Sequence, residues 1–86
     1  MVKIQMELKD TVKLMESTDF KDRFKAEYYQ LQNRRNGLKR MLVNMADGAL
    51  NFTPKCSYDL LHEQIVYMDG YLSVLEKRAE NENINL

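Results

Sequence analysis

The chain has no tryptophan, one cysteine, one histidine and one proline among its 86 residues. Each scarcity excludes something. A single cysteine, Cys56, excludes an internal disulfide framework. As a nucleophile Cys56 would need a base, and His62 is the only histidine. Six positions apart, the two do not share a helical face, so catalysis by this pair is not expected. No second histidine or cysteine stands at metal-ligand spacing, so no metal site is expected. Glycine-rich phosphate loops are absent. The carboxylates are spread along the chain, with no pair set apart in apolar surroundings for acid–base work. The expectation is a protein that is not an enzyme and needs no cofactor.

Long apolar runs are missing too. None approaches the length of a membrane span, so no membrane contact is expected. Met1–Glu7 is interrupted by charge, unlike a signal peptide, and a reducing cytoplasm is the expected compartment. There is no surplus of either charge, since 13 basic residues balance 13 acidic ones. General nucleic-acid binding usually needs a basic excess, so that class is disfavoured.

What is present is helical patterning. Ile4, Leu8, Val12 and Met15 recur at fours and threes, with charged residues between them. This spacing predicts a short amphipathic helix over about 3–16. Ser17-Thr18-Asp19 breaks it and offers caps for the next helix. A second helix is predicted from about 19 to 47, with Gly48 as its left-handed stop. Its stripe runs Phe24, Tyr28, Leu31, Arg35, Leu38, Leu42, Met45. Residues 48–57 form a connection in which Leu50 and Phe52 should plug the end of the hairpin. Pro54 suits a loop or a first helical turn, and Thr53 or Ser57 is the cap. A third helix is predicted over about 58–82, with a seam of Leu61, Ile65, Met68, Leu72, Leu75 and Ala79. The tail from Asn81 to Leu86 should fray.

A ten-residue connection between long helices favours an antiparallel hairpin. The expected fold is therefore all-α: a long antiparallel helical hairpin (about 19–47 and 58–82) plus a short N-terminal amphipathic helix, assembled as an oligomer. The organisation is an N-terminal docking or oligomerisation segment, 1–17, and a hairpin domain, 18–86. Oligomerisation is expected because a chain this short buries only ~60% of its unfolded surface. Six methionines and five tyrosines give it a soft core with polar handles.

The charges are unevenly placed. Residues 19–45 carry seven basic side chains against three acidic, and residues 58–82 carry two against six. Mutual pairing of the two helices is one reading, and an anion-binding side on the first of them is the other. Arg34, Arg35, Lys39 and Arg40 crowd into seven positions. Arg35 falls on the apolar stripe, where a guanidinium is costly unless a carboxylate, phosphate or carbonyl meets it. Gly37 within the same cluster admits a close neighbour, or is a tolerated surface glycine. Pairing Met45 with Leu61 puts Arg35 opposite Tyr71, with Tyr67 a turn away and Tyr28 near Arg78. Arginine with tyrosine can hold phosphate and stack a base, and can equally be structural. The candidate ligand residues are Arg34, Arg35, Lys39, Tyr28 and Tyr71.

The hairpin segments carry a further signal. Asp19–Tyr28, Leu31–Leu42, the connection Phe52-Thr53-Pro54-Lys55-Cys56 and the ending Tyr71-Leu72-Ser73-Val74-Leu75-Glu76-Lys77-Arg78-Ala79 resemble a small family of tailed-phage helical-hairpin proteins related to a crAss-like phage protein. The resemblance covers about 18–82, and Ser57 stands where that family commonly has proline. It implies a phage origin and the cytoplasm of the infected bacterial host. In size and architecture the chain is also similar to the anti-CBASS and anti-Thoeris hairpin sponges. These likenesses imply a homo-oligomer that sequesters a cyclic nucleotide or related signalling nucleotide. The alternatives are an anti-CRISPR-like inhibitor that binds a host defence protein, or a structural phage interaction protein.

Overall fold

The structure, a computed structural model, describes residues 6–86. A 3₁₀ turn, Leu8–Thr11, runs into a single α-helical turn, α1, Val12–Met15. Two long helices follow, α2 over Phe20–Ala46 and α3 over Tyr58–Glu82. All regular structure among the described residues is helical.

Local chemistry sets the ends of the long helices. Asp19 caps α2 by accepting from the Lys21 amide at 2.9 Å. Ser17 braces the same turn: its hydroxyl donates to Asp22 at 2.8 Å and accepts from the Asp19 amide at 3.0 Å. At the far end Gly48 takes φ 69°, and the Ala49 amide reaches back to the Asn44 carbonyl at 2.7 Å. That is the glycine stop expected of a Schellman motif. Ser57 caps α3 through the Leu60 amide.

α2 and α3 pack antiparallel. Arg35 meets Asp69, and the Lys21 ammonium donates to the Asn83 carbonyl, so facing residue numbers sum to 104. The seam buries Phe24 and Leu42 of α2 against Ile65, Leu72, Leu75 and Ala79 of α3. Leu75 is fully inaccessible.

Several expectations need correcting. The tail does not fray. Asn83 adopts the left-handed conformation at φ 55°, the Ile84 amide bonds the Ala79 carbonyl at 2.9 Å, and Ile84 joins Phe24, Leu75 and Ala79 in the core. Asparagine replaces glycine in a second Schellman stop, and the following apolar residue seals it. Phe52 does not plug the hairpin, being exposed in the connection, whereas Leu50 is half-buried.

The N-terminal segment is not one continuous helix. Met6 and Glu7 are non-helical. The start of the expected helix, with Ile4, lies outside the described residues. Within the chain the predicted apolar stripe is not the face laid on α2, since Leu8, Val12 and Met15 are all exposed. Thr11 is the buried residue, at 0% exposure, with Leu14 half-buried beside it. The Thr11 hydroxyl donates to the Leu8 carbonyl at 2.7 Å and accepts from the Gln30 amide at 2.9 Å. A fully satisfied hydroxyl is cheap to bury. The segment packs on α2 and not on α3. α2 is thus covered on two faces, and Ala26, one turn before Gln30, is buried on the second.

Candidate ligand-binding site

Helical geometry divides the basic cluster. Residues four apart share a flank, whereas neighbours diverge by about 100°. Arg35 and Lys39 therefore share one flank of α2, with Tyr28 two turns below. Arg34 lies on the other. The structure does not bring the five predicted residues into one place.

On the first flank Arg35 grips Asp69 with Nε at 2.7 Å from Oδ1 and Nη2 at 3.4 Å from Oδ2. A carboxylate thus answers the guanidinium on the stripe. Asp69, two residues before Tyr71, projects to the Arg35 side, whereas the Tyr71 hydroxyl donates to Glu27 on the Arg34 side. The expected Arg35–Tyr71 opposition is replaced for that reason. Arg78 sits over the Phe24 ring, 5.0 Å from its centroid, one helical turn from Tyr28. Tyr28 packs edge-to-face on Tyr29 at 5.4 Å. Burial, with the Glu76 carboxylate, raises the Tyr28 phenol above its ordinary value, and burial raises Tyr29. Both stay protonated at neutral pH.

The Arg35 guanidinium also reaches Asn36 Oδ1 at 3.4 Å. Asn36 opens onto a polar cleft of about 350 Å³ between α2 and the N-terminal segment. Its lining is Met6, Glu7, Gln32, Asn33, Asn36 and Arg40. Asn33 holds the segment in place by donating to the Met6 carbonyl at 3.1 Å. Three carboxamides supply paired donors and acceptors, and Arg40 supplies a fork of donors for an anion. Gly37 is not pressed by any backbone here. A Cβ built there meets only the tip of Arg40, at 3.7 Å.

Among the described residues Arg34, Lys39 and Arg40 have no carboxylate within 4.0 Å. The ion pair between α2 and α3 is Arg35–Asp69, with side chains 27% and 49% exposed, and is worth at most ~1 kcal/mol. Pairing between the oppositely charged helices therefore leaves most of the basic cluster unneutralised. Gln32, Asn33 and Asn36 lie outside the ligand set expected from the sequence. Their signal is a polar row in mid-helix, since Gln32, Asn36 and then Arg40 recur at fours. Among the described residues no group of three or more His, Cys, Asp or Glu side chains is placed to hold a metal ion. No helix there is long and apolar enough to cross a membrane.

These features define an all-α helical hairpin with a cationic, carboxamide-lined flank. A family model described as Sequestin matches residues 18–81, which is 64 of the 86 residues. The chain belongs to the Sequestin family. The match spans the hairpin and leaves out the N-terminal segment, and the family name suggests a sequestering role. No curated protein and no solved structure matches the chain.

Proposed function

We propose that the protein is a phage-encoded anti-defence protein that binds and sequesters a nucleotide immune second messenger without altering it chemically. The observation that carries this reading is the α2 flank. Lys39 and Arg40 lack carboxylate partners there and stand beside the Gln32–Asn33–Asn36 cleft. Cations of this kind suit phosphates, and carboxamides suit the polar edges of a base or ribose. The Sequestin name supports sequestration as the outcome. Arg34 and Tyr71 face the opposite edge of the hairpin, so they reach the same ligand only from another copy. A site that used all of these residues would have to be shared between subunits.

The test is a thermal-shift panel of cyclic di- and trinucleotides and ADP-ribose derivatives on the full chain. A ligand at 100 times its dissociation constant adds ~2.7 kcal/mol of apparent stability. Arg40→Ala should then weaken binding by roughly ten- to a hundredfold, the loss of one charge-assisted hydrogen bond of ~1.5–3 kcal/mol. Unchanged affinity in a folded Arg40→Ala variant rejects this flank. Silence across the whole panel turns the choice to direct binding of a host defence protein.

A further inference from the structure

The outer face of α3 has an apolar stripe that nothing among the described residues covers. Leu60, Tyr67, Tyr71 and Val74 are 54%, 70%, 47% and 53% exposed. With Gln64 they recur at four, three, four and three, the spacing of a coiled-coil seam. The seam packed on α2 is a separate one, built from Leu61, Ile65, Met68, Leu72 and Leu75. α3 therefore carries two adjacent seams, one filled and one empty. An open groove of about 500 Å³ runs along the empty one, from Leu60 to Tyr71.

Two further observations identify the occupant. Gly70 lies in mid-helix at the margin of this stripe, where glycine costs ~1 kcal/mol relative to alanine. Its own chain gives no reason for it, since a Cβ there would meet nothing within 4 Å. A glycine does let a second backbone approach. The flanking charges are also arranged about Gly70. Glu63 stands seven residues before it and Lys77 seven after, two helical turns either way on the same margin. A two-fold axis through Gly70 sets Glu63 of one copy level with Lys77 of the other and Tyr67 level with the gap between Tyr71 and Val74, while the Leu60 end of the stripe runs past the contact. Self-complementarity of this kind is what an isologous contact requires.

We infer that the occupant is a second copy of this chain, its α3 packed antiparallel on the first with the two-fold axis at Gly70. Glu63 of each copy then faces Lys77 of the other. Tyr67 packs near Tyr71 and Val74 of its partner, and the glycines let the helices close at the centre. The dimer face excludes the Arg35–Arg40 flank, so the two readings can fail separately, but it takes Tyr71 into the seam between copies.

Sedimentation equilibrium of the full chain tests it. The wild type should weigh twice the chain mass of 10.2 kDa. Tyr67→Glu puts a carboxylate into the seam twice per dimer and should raise the dissociation constant by about tenfold or more. Tyr67 is exposed within one chain, so helicity should be unchanged, and circular dichroism checks this. Glu63→Lys sets like charges opposite each other and should weaken the dimer. Adding Lys77→Glu should restore it, because the pair is then reversed across the axis. A monomer at high concentration overturns the inference. So does a dimer indifferent to Tyr67→Glu. Failure of the double variant to recover overturns the antiparallel arrangement.

Discussion

α2 is covered on two faces by partners of opposite character. Its α3 face is sealed by aliphatic side chains and Phe24, with Leu42 and Leu75 almost wholly inaccessible. Its other face meets the N-terminal segment through polar groups: Gln30 on Thr11, Asn33 on the Met6 carbonyl, and Gln30 against the Met15 sulfur. The first contact holds by excluding water from a large apolar area. The second holds by geometry, since a net hydrogen bond contributes only ~1 kcal/mol while a broken buried one costs more. The hairpin should therefore be the stable unit and the segment an adjustable cover. The polar cleft lies at the edge of that cover, where small displacements change its shape.

Cutting into the apolar face tests the stronger half of this contrast. Leu75→Ala should destabilise the chain by about 3 kcal/mol, the usual cost of a fully buried leucine. Urea unfolding followed by circular dichroism measures it. A loss below about 1 kcal/mol would mean that the seam is loosely packed and the contrast is overstated. Thr11→Val tests the weaker half. The shape is kept, but the Gln30 amide loses its acceptor, at about 1–2 kcal/mol. The damage should be local. Hydrogen exchange should quicken in residues 8–15 and stay slow in α2 and α3, and matching acceleration in α3 would make the segment part of the core.

The same contrast explains what was legible in the sequence. The α2–α3 seam is written in apolar residues at fours and threes, so both helices and their antiparallel pairing could be read directly. So could the Gly48 stop, with Asp19 among the three residues Ser17–Asp19 and Ser57 one of two candidates with Thr53, because caps have their own residue chemistry. The N-terminal face could not. Hydropathy marks Leu8, Val12 and Met15, but the buried residue is a threonine whose hydroxyl is satisfied from another helix. The ordered tail is not legible in the sequence, because Asn83 does the work of a glycine and Ile84 is a lone apolar residue. The site was legible as composition and not as geometry. Arg35, Lys39 and Arg40 were visible as charge, but which edge each tyrosine joins depends on a helix register of one or two residues. Tyr71 and Asp69, two apart, go to opposite edges.

The finest test falls on Gly37, inside the flank where cover and cleft meet. Gly37→Ala should stabilise the chain by about 0.5–1 kcal/mol, because alanine loses less entropy in a helix. Its methyl would meet only the flexible end of Arg40, at 3.7 Å. Thermal unfolding measures that gain. A loss of stability instead would mean that the N-terminal segment presses closer to α2 in solution. The same variant probes the site from the other direction. If a nucleotide lies against the α2 backbone between Asn36 and Arg40, the new methyl stands in its way, and binding should fall while stability rises. Stability and affinity moving in opposite directions would make Gly37 a ligand contact. A stability gain with affinity unchanged would make it a surface glycine with no partner, and would move the ligand away from the helix axis toward Gln32 and Lys39.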